Sequence, residues 1–148
     1  MTAVGPVHAS VVARLVSVLV PRLTGRAIVW PQNPLVMTRQ ASEFQPDLAL
    51  LRPKPDFYAS GNPVPSDALL VIEVMDTSVA KDRRVKLRIY ARAGVGEVWL
   101  VDVNRATVEV CRAPAGDDYA ERRIIGREGS VAPRAFPDLD LPVSEILG

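Results

Sequence analysis

Ala68-Leu69-Leu70-Val71-Ile72-Glu73-Val74 is the stretch on which the architecture turns. Its apolar residues do not alternate with polar ones, so a strand here must be covered on both faces and lie inside a sheet. Upstream, Pro46 precedes Asp47-Leu48-Ala49-Leu50-Leu51, a second near-continuous apolar run of strand length. A proline is tolerated where a strand starts. The chain between these runs, from Pro53 to about Ser66, is rich in Pro and Gly and reads as a loop. Downstream, after a break at Asp76-Thr77-Ser78, residues Val79 to Ala93 are charged, mostly good helix formers, and stop before Gly94. Val85, Ile89 and Ala93 are the expected inward stripe of that helix. Glu97 to Val103 is another apolar strand, and Ala106 to Arg112 with Tyr119 to Ile125 read as a polar-edged hairpin.

Towards the ends of the chain the pattern changes period. From His8 to about Leu23, Val12, Leu15, Leu19 and Leu23 recur at three- and four-residue steps, which predicts a helix with one buried stripe. Pro21 removes a backbone donor and crowds the Ser17 carbonyl, so the helix is expected to kink or end there. Ala27 to Trp30 reads as a short strand, with Leu35 to Met37 as its partner across a turn containing Pro31 and Pro34. The tail from Phe136 to Leu147 resembles a last edge segment and a short closing helix. Helix, strands, helix, strands is the order of an α/β (α+β) fold, a mixed central sheet flanked by helices, in a single domain spanning residues 1–148.

Composition narrows the chemistry. The 148 residues carry 18 Lys+Arg against 17 Asp+Glu, a formal net charge of +1, so any grip on nucleic acid must be local rather than a matter of bulk charge. One Cys, Cys111, and one His, His8, exclude an internal disulfide and leave too few soft ligands for a tetrahedral zinc site. A hydrolase that relies on a His base has His8 as its single candidate. The early apolar stretch Val11 to Val20 is interrupted by Arg14 and falls short of the roughly 20 residues a spanning helix needs. The expectation is an intracellular, cytoplasmic protein with no membrane partner, whose chemistry depends on carboxylates.

Two carboxylates occupy unusual places. Asp47 opens a buried strand, and Glu73 sits inside the most apolar one, between Val71-Ile72 and Val74-Met75. Burying an ionised carboxylate costs several kcal/mol unless a cation or strong donors compensate it. Glu73 is therefore either a site residue or half of a structural ion pair with an arginine. Only three of the 18 basic residues are lysines, Lys54, Lys81 and Lys86. On a helix, Ser78, Asp82, Lys86 and Tyr90 form one longitudinal row. That row is either an exposed face with an ordinary Asp–Lys pair, or it faces the end of the Glu73 strand and sets an ammonium beside two carboxylates. The second arrangement suits a divalent metal and a phosphate ester.

The pieces Pro46-Asp47, Val71-Ile72-Glu73-Val74, Asp82-Arg83-Arg84-Val85-Lys86-Leu87-Arg88-Ile89-Tyr90 and Gly94-Val95-Gly96-Glu97-Val98-Trp99-Leu100-Val101-Asp102 resemble, in order and spacing, the Uma-type family of restriction-endonuclease-like proteins. That family belongs to the PD-(D/E)XK nuclease superfamily, and the resemblance runs from about His8 to the C-terminus. It implies a restriction-endonuclease-like mixed sheet with the active site at strand ends. It also implies Mg²⁺ or Mn²⁺ held by Asp47, Glu73 and the main-chain carbonyl of Val74. The superfamily lysine stands two residues after the Glu, where this chain has Met75; in the Uma-type pattern a lysine on the following helix replaces it, and Lys86 matches that position. Members usually carry an earlier Tyr-Glu-Leu…Gly element whose Glu assists metal binding. This sequence contains none, so it is either truncated there relative to the family or has lost part of the site, and Glu43 is the substitute nearest in sequence.

The resemblance thus implies a metal-dependent endonuclease that hydrolyses phosphodiester bonds, with DNA as the expected nucleic acid. Asp47, Glu73 and Lys86 would be catalytic, and Asp82, Tyr90, Glu43 and His8 supporting. The alternative is a catalytically inactive nucleic-acid-binding or assembly module that retains the fold. A third is a domain serving protein–protein contact. A homodimer is expected only by analogy, because cutting two strands often takes two copies. Trp99 reads as core, Glu97 and Asp102 as solvated strand ends, His8 as a helix cap or surface residue, and Cys111 as inert. Arg83, Arg84, Arg88 and Arg92 read as helix decoration able to touch a nucleic-acid backbone.

Overall fold

The computed structural model describes residues 5–36, 43–76 and 80–148, with the side chains of 43 and 80–82 outside that description. Helix α1 (Pro6–Leu23) begins with a proline in its first turn, where the missing N–H has no helical partner to lose. It continues two residues past Pro21, so the proline falls in the last turn and the helix ends rather than kinks in its middle. Strands β1 (Ile28–Pro31), β2 (Leu35–Val36), β3 (Glu43–Phe44), β4 (Leu48–Leu51) and β5 (Ala68–Met75) follow, with a 3-10 turn at Pro65–Asp67 leading into β5. Then come α2 (Ala80–Arg92), β6 (Glu97–Asp102), the hairpin β7 (Thr107–Ala115) and β8 (Asp118–Gly126), β9 (Ser130–Val131), β10 (Leu141–Pro142) and α3 (Val143–Leu147).

Six strands form one mixed sheet in the order β1-β4-β5-β6-β7-β8. β5 and β6 run parallel, and α2 is the crossover such a pair requires. The other neighbours are antiparallel. β5 is central, as its unbroken apolar run demands, and its two faces feed two cores. Leu70, Ile72 and Val74 pack with Leu48, Leu50, Trp99 and Val101 against the α1 stripe Val11, Val12, Leu15, Leu19 and Leu23. Val71 and Met75 face the other way with Ala49, Leu51, Val98 and Leu100, against Leu87, Tyr90 and Ala91 of α2. Glu73 shares the parity of Val71 and Met75, so strand geometry alone turns it towards α2.

Two local expectations are corrected. β1 pairs with β4, while Leu35–Val36 pairs with Glu43–Phe44, so the short segments after α1 do not form one hairpin. β4 is longer in apolar content than any segment near β1 and offers it a four-residue partner. The inward stripe of α2 is in part rotated: Val85 is 48 % exposed, Ile89 and Ala93 pack half-buried at the edge of the core, and Leu87, Tyr90 and Ala91 fill it. That rotation carries Arg83 and Lys86 towards the sheet.

Helix α1 is long and apolar enough to cross a membrane by length and composition. Its apolar stripe is in the core beneath the sheet, which explains the composition without a bilayer.

Candidate active site

The β4–β5 ladder stops at the Leu48–Ile72 pair. Beyond it the N–H of Val74 needs another acceptor, and Asp47 Oδ2 takes it at 2.8 Å. This bond fixes the carboxylate at the end of β4, beside Glu73 on the neighbouring strand. The same Oδ2 lies 3.2 Å from Arg83 Nη2 and 3.1 Å from His8 Nε2. Both helices therefore reach one oxygen, α1 through its third residue and α2 through its fourth.

Glu73 is wholly buried. Its Oε1 accepts a 2.7 Å hydrogen bond from the Tyr90 hydroxyl and lies 3.5 Å from Lys86 Nζ. Its Oε2 lies 3.1 Å from Arg83 Nε. That N–H is directed to the Val74 carbonyl at 3.3 Å, leaving Oε2 with no well-aligned hydrogen bond among the described residues. Burial, then the charge of Asp47, pushes the Glu73 carboxyl up to about 7, against the opposing pull of Lys86, Arg83 and the Tyr90 hydroxyl. Burial and the neighbouring Glu73 hold the Tyr90 hydroxyl well above its ordinary range, so it remains a donor.

Lys86 and Tyr90, the part of the helix row that lies within the described residues, do not form an exposed face; Ser78 and the Asp82 side chain lie outside them. Tyr90 is buried, Lys86 has 16 % of its side chain exposed, and both point at Glu73. The structure brings together Asp47, Glu73, Val74, Lys86, Tyr90 and His8. The side chains of Asp82 and Glu43 lie outside the described residues.

A family model described as "Uma2: Putative restriction endonuclease" matches residues 1–144 of the chain. The chain belongs to the Uma2 family. Among solved structures it is similar to a protein from Anabaena variabilis ATCC 29413, described as a putative nuclease belonging to DUF820. The TM-score is 0.75 at 17 % identity, over 99 % of this chain and 83 % of that one, which shows a shared fold. No curated protein matches the chain in sequence.

In this Uma2 chain the donor types suit a hard divalent cation: two carboxylates and a main-chain carbonyl, all oxygen, each within 3.3 Å of the Arg83 guanidinium. Glu73 Oε2, buried and poorly satisfied, is the kind of atom such a cation would complete. Among the described residues no group of three or more His, Cys, Asp or Glu side chains is arranged to hold a metal ion, so the donor set rests on two carboxylates and a carbonyl.

Sequence reasoning misses the roles of Arg83 and Glu97, and it names His8 as a support while placing it as a cap or surface residue. Arg83 reads as helix decoration, yet it is buried and touches Asp47, Glu73 and Val74. Its spacing of three from Lys86 was the available signal. His8 is buried against Asp47 rather than capping α1 at the surface. Glu97 is 1 % exposed, not solvated, and belongs to a separate structural cluster. It accepts from Arg112 Nε at 2.7 Å, Trp99 Nε1 at 3.1 Å and the Arg134 N–H at 2.8 Å. Trp99 is two residues away, but nothing local in sequence announces Arg112 and Arg134, 15 and 37 residues along the chain.

Proposed function

We propose that this protein is a divalent-metal-dependent endonuclease that hydrolyses phosphodiester bonds, with DNA as substrate and Mg²⁺ or Mn²⁺ as cofactor. The observation that carries this reading is the position of Lys86: its ammonium lies 3.5 Å from Glu73, beside Asp47 on the adjacent strand end. Had Lys86 pointed into solvent, an ion pair with arginine would have accounted for Glu73. Membership of a family described as restriction endonucleases supports the same class of chemistry.

Asp47, Glu73 and the Val74 carbonyl would hold the cation. When bound, it supplies Lewis-acid chemistry, a more acidic water and a polarised phosphoryl oxygen. The Val74 N–H and the Tyr90 hydroxyl hold the two carboxylates in place, at Asp47 Oδ2 and Glu73 Oε1, and Glu73 Oε2 lies beside Arg83. Lys86, the most exposed of the group, is where a phosphate would arrive; its charge would orient the nucleophile and offset the negative charge gathering on the phosphoryl oxygens. Buried His8 would support Asp47, with Asp82 and Glu43 as further support.

The competing reading is a nucleic-acid-binding or assembly module without activity. One observation favours it: Arg83 already neutralises the carboxylates. Plasmid nicking separates the two. With Mg²⁺ or Mn²⁺ we expect nicking that Glu73→Ala lowers by roughly a hundredfold or more while the circular dichroism spectrum is kept. Activity that survives Glu73→Ala, or that needs no metal, removes the mechanism. Salt-dependent DNA binding without nicking, unaffected by Glu73→Ala, establishes the module instead.

A further inference from the structure

The three groups assigned to the cation already share one. Arg83 Nη2 is 3.2 Å from Asp47 Oδ2, and Arg83 Nε is 3.1 Å from Glu73 Oε2 and 3.3 Å from the Val74 carbonyl. We propose that the Arg83 guanidinium is the resident counter-cation of this site, and that a divalent cation binds there only by displacing it. The inference rests on the metal-dependent reading above and goes beyond it by naming what the metal must compete with.

Charge among the described residues favours the exchange. With Glu73 ionised, Asp47 and Glu73 bring two negative charges, and Arg83 and Lys86 bring two positive ones at contact distance. A divalent cation would add two positive charges to these four buried groups. Removing the guanidinium as the metal enters halves that excess. Like charges at such separation in a weakly screened interior repel strongly, so joint occupancy is the disfavoured state.

Geometry allows it. Among the described residues the guanidinium meets Asp47 through Nη2 and Glu73 and the Val74 carbonyl through Nε, with no two-pronged pair to either carboxylate, and Glu73 Oε2 has no aligned donor there. Carboxylate–guanidinium pairs built for stability use two parallel bonds, as Arg26 does with Asp138 at 2.9 and 2.8 Å. Arg83 also lies one turn from the start of α2, and the adjacent Arg84 side chain is already half exposed, so a long side chain has solvent close by.

The test is Mn²⁺ binding by titration calorimetry and electron paramagnetic resonance on the full chain, its Arg83→Gln variant, and Arg83→Gln combined with Asp47→Asn. Arg83→Gln should bind Mn²⁺ about ten- to a hundredfold more tightly than the unaltered protein, and Asp47→Asn should abolish the gain. If Arg83→Gln does not fold, the unaltered protein still decides. Its Arg83 Nε–H resonance, assigned by its loss in Arg83→Lys, should shift and exchange with solvent as Mg²⁺ is added. Equal Mn²⁺ affinity in both proteins, at an Asp47-dependent site, overturns the displacement and leaves the metal reading standing. So does an Nε–H resonance that stays in place while Mg²⁺ saturates that site. Absence of metal binding in both proteins overturns the displacement and the metal reading together.

Discussion

Glu73 shows how much a single buried carboxyl asks of its surroundings. It has no exposed surface, and a hydroxyl, an ammonium and a guanidinium are all within 3.5 Å. Even so, burial and Asp47 raise it from 4.5 to about 7. The sign of the consequence follows from linkage. Between those values the folded protein keeps a proton that the unfolded chain has released, so the stability this group contributes is full below about pH 4.5 and is lost as pH rises through about 7. At 1.36 kcal/mol per pH unit the loss is of the order of 3 kcal/mol. In chelator-treated protein, Glu73→Gln should remove this decline. The gap in unfolding free energy between variant and parent should widen in the variant's favour from pH 4.5 to 7 and then level off. Parallel stability curves across that window would show that Glu73 titrates normally.

At the scale of elements, α2 has to stop where it does for Tyr90 to meet Glu73. The Val95 N–H bonds the Tyr90 carbonyl and the Gly94 N–H bonds the Ala91 carbonyl, both at 3.0 Å, with Gly94 at φ +80°. This is the paired closure in which a left-handed residue ends a helix and satisfies its last carbonyls. A Cβ on Gly94 would meet nothing within 4 Å, so Gly94→Ala tests backbone strain alone. It should cost about 1–2 kcal/mol in urea unfolding, and a variant as stable as its parent would contradict the assignment. The Gly94 stop was legible in the sequence, as were β5's central place, the β7–β8 hairpin and the closing helix, because each rests on local composition or periodicity. The phase of α2 was not. Ile89 and Ala93 do border the core, but Val85 faces solvent while Leu87, Tyr90 and Ala91 fill it, and only the sheet decides that phase. That ambiguity hid Arg83 while the motif spacing exposed Asp47, Glu73 and Lys86. The burial of His8 and Glu97 was illegible for another reason: Asp47 lies 39 residues from His8, and Arg112 and Arg134 lie 15 and 37 residues from Glu97.

For the whole molecule, a net charge of +1 limits how the proposed DNA substrate would be held. Without bulk positive potential, affinity would come from a few phosphate contacts, and the exposed arginines of α2 are the candidates for them. Arg84, Arg88 and Arg92 recur every four residues along one side of the helix, next to the row that carries Lys86. Arg84 is tied to Glu109 and Arg92 to Asp117, at 3.2 and 3.5 Å, so each would have to exchange a carboxylate for a phosphate. Arg88 is exposed. If this face meets DNA with roughly two to four phosphates, the slope of log K against log salt should be about −2 to −4. That is shallow beside proteins that bind by a broad basic surface. Arg88→Ala should then reduce the slope by close to one contact, about 0.9, and weaken binding to all sequences alike. Fluorescence anisotropy with a labelled duplex at several salt concentrations measures both quantities. A slope unchanged by Arg88→Ala would move the DNA-binding face off α2. A much steeper slope would mean that more cations meet the backbone than this near-neutral chain presents on one helix.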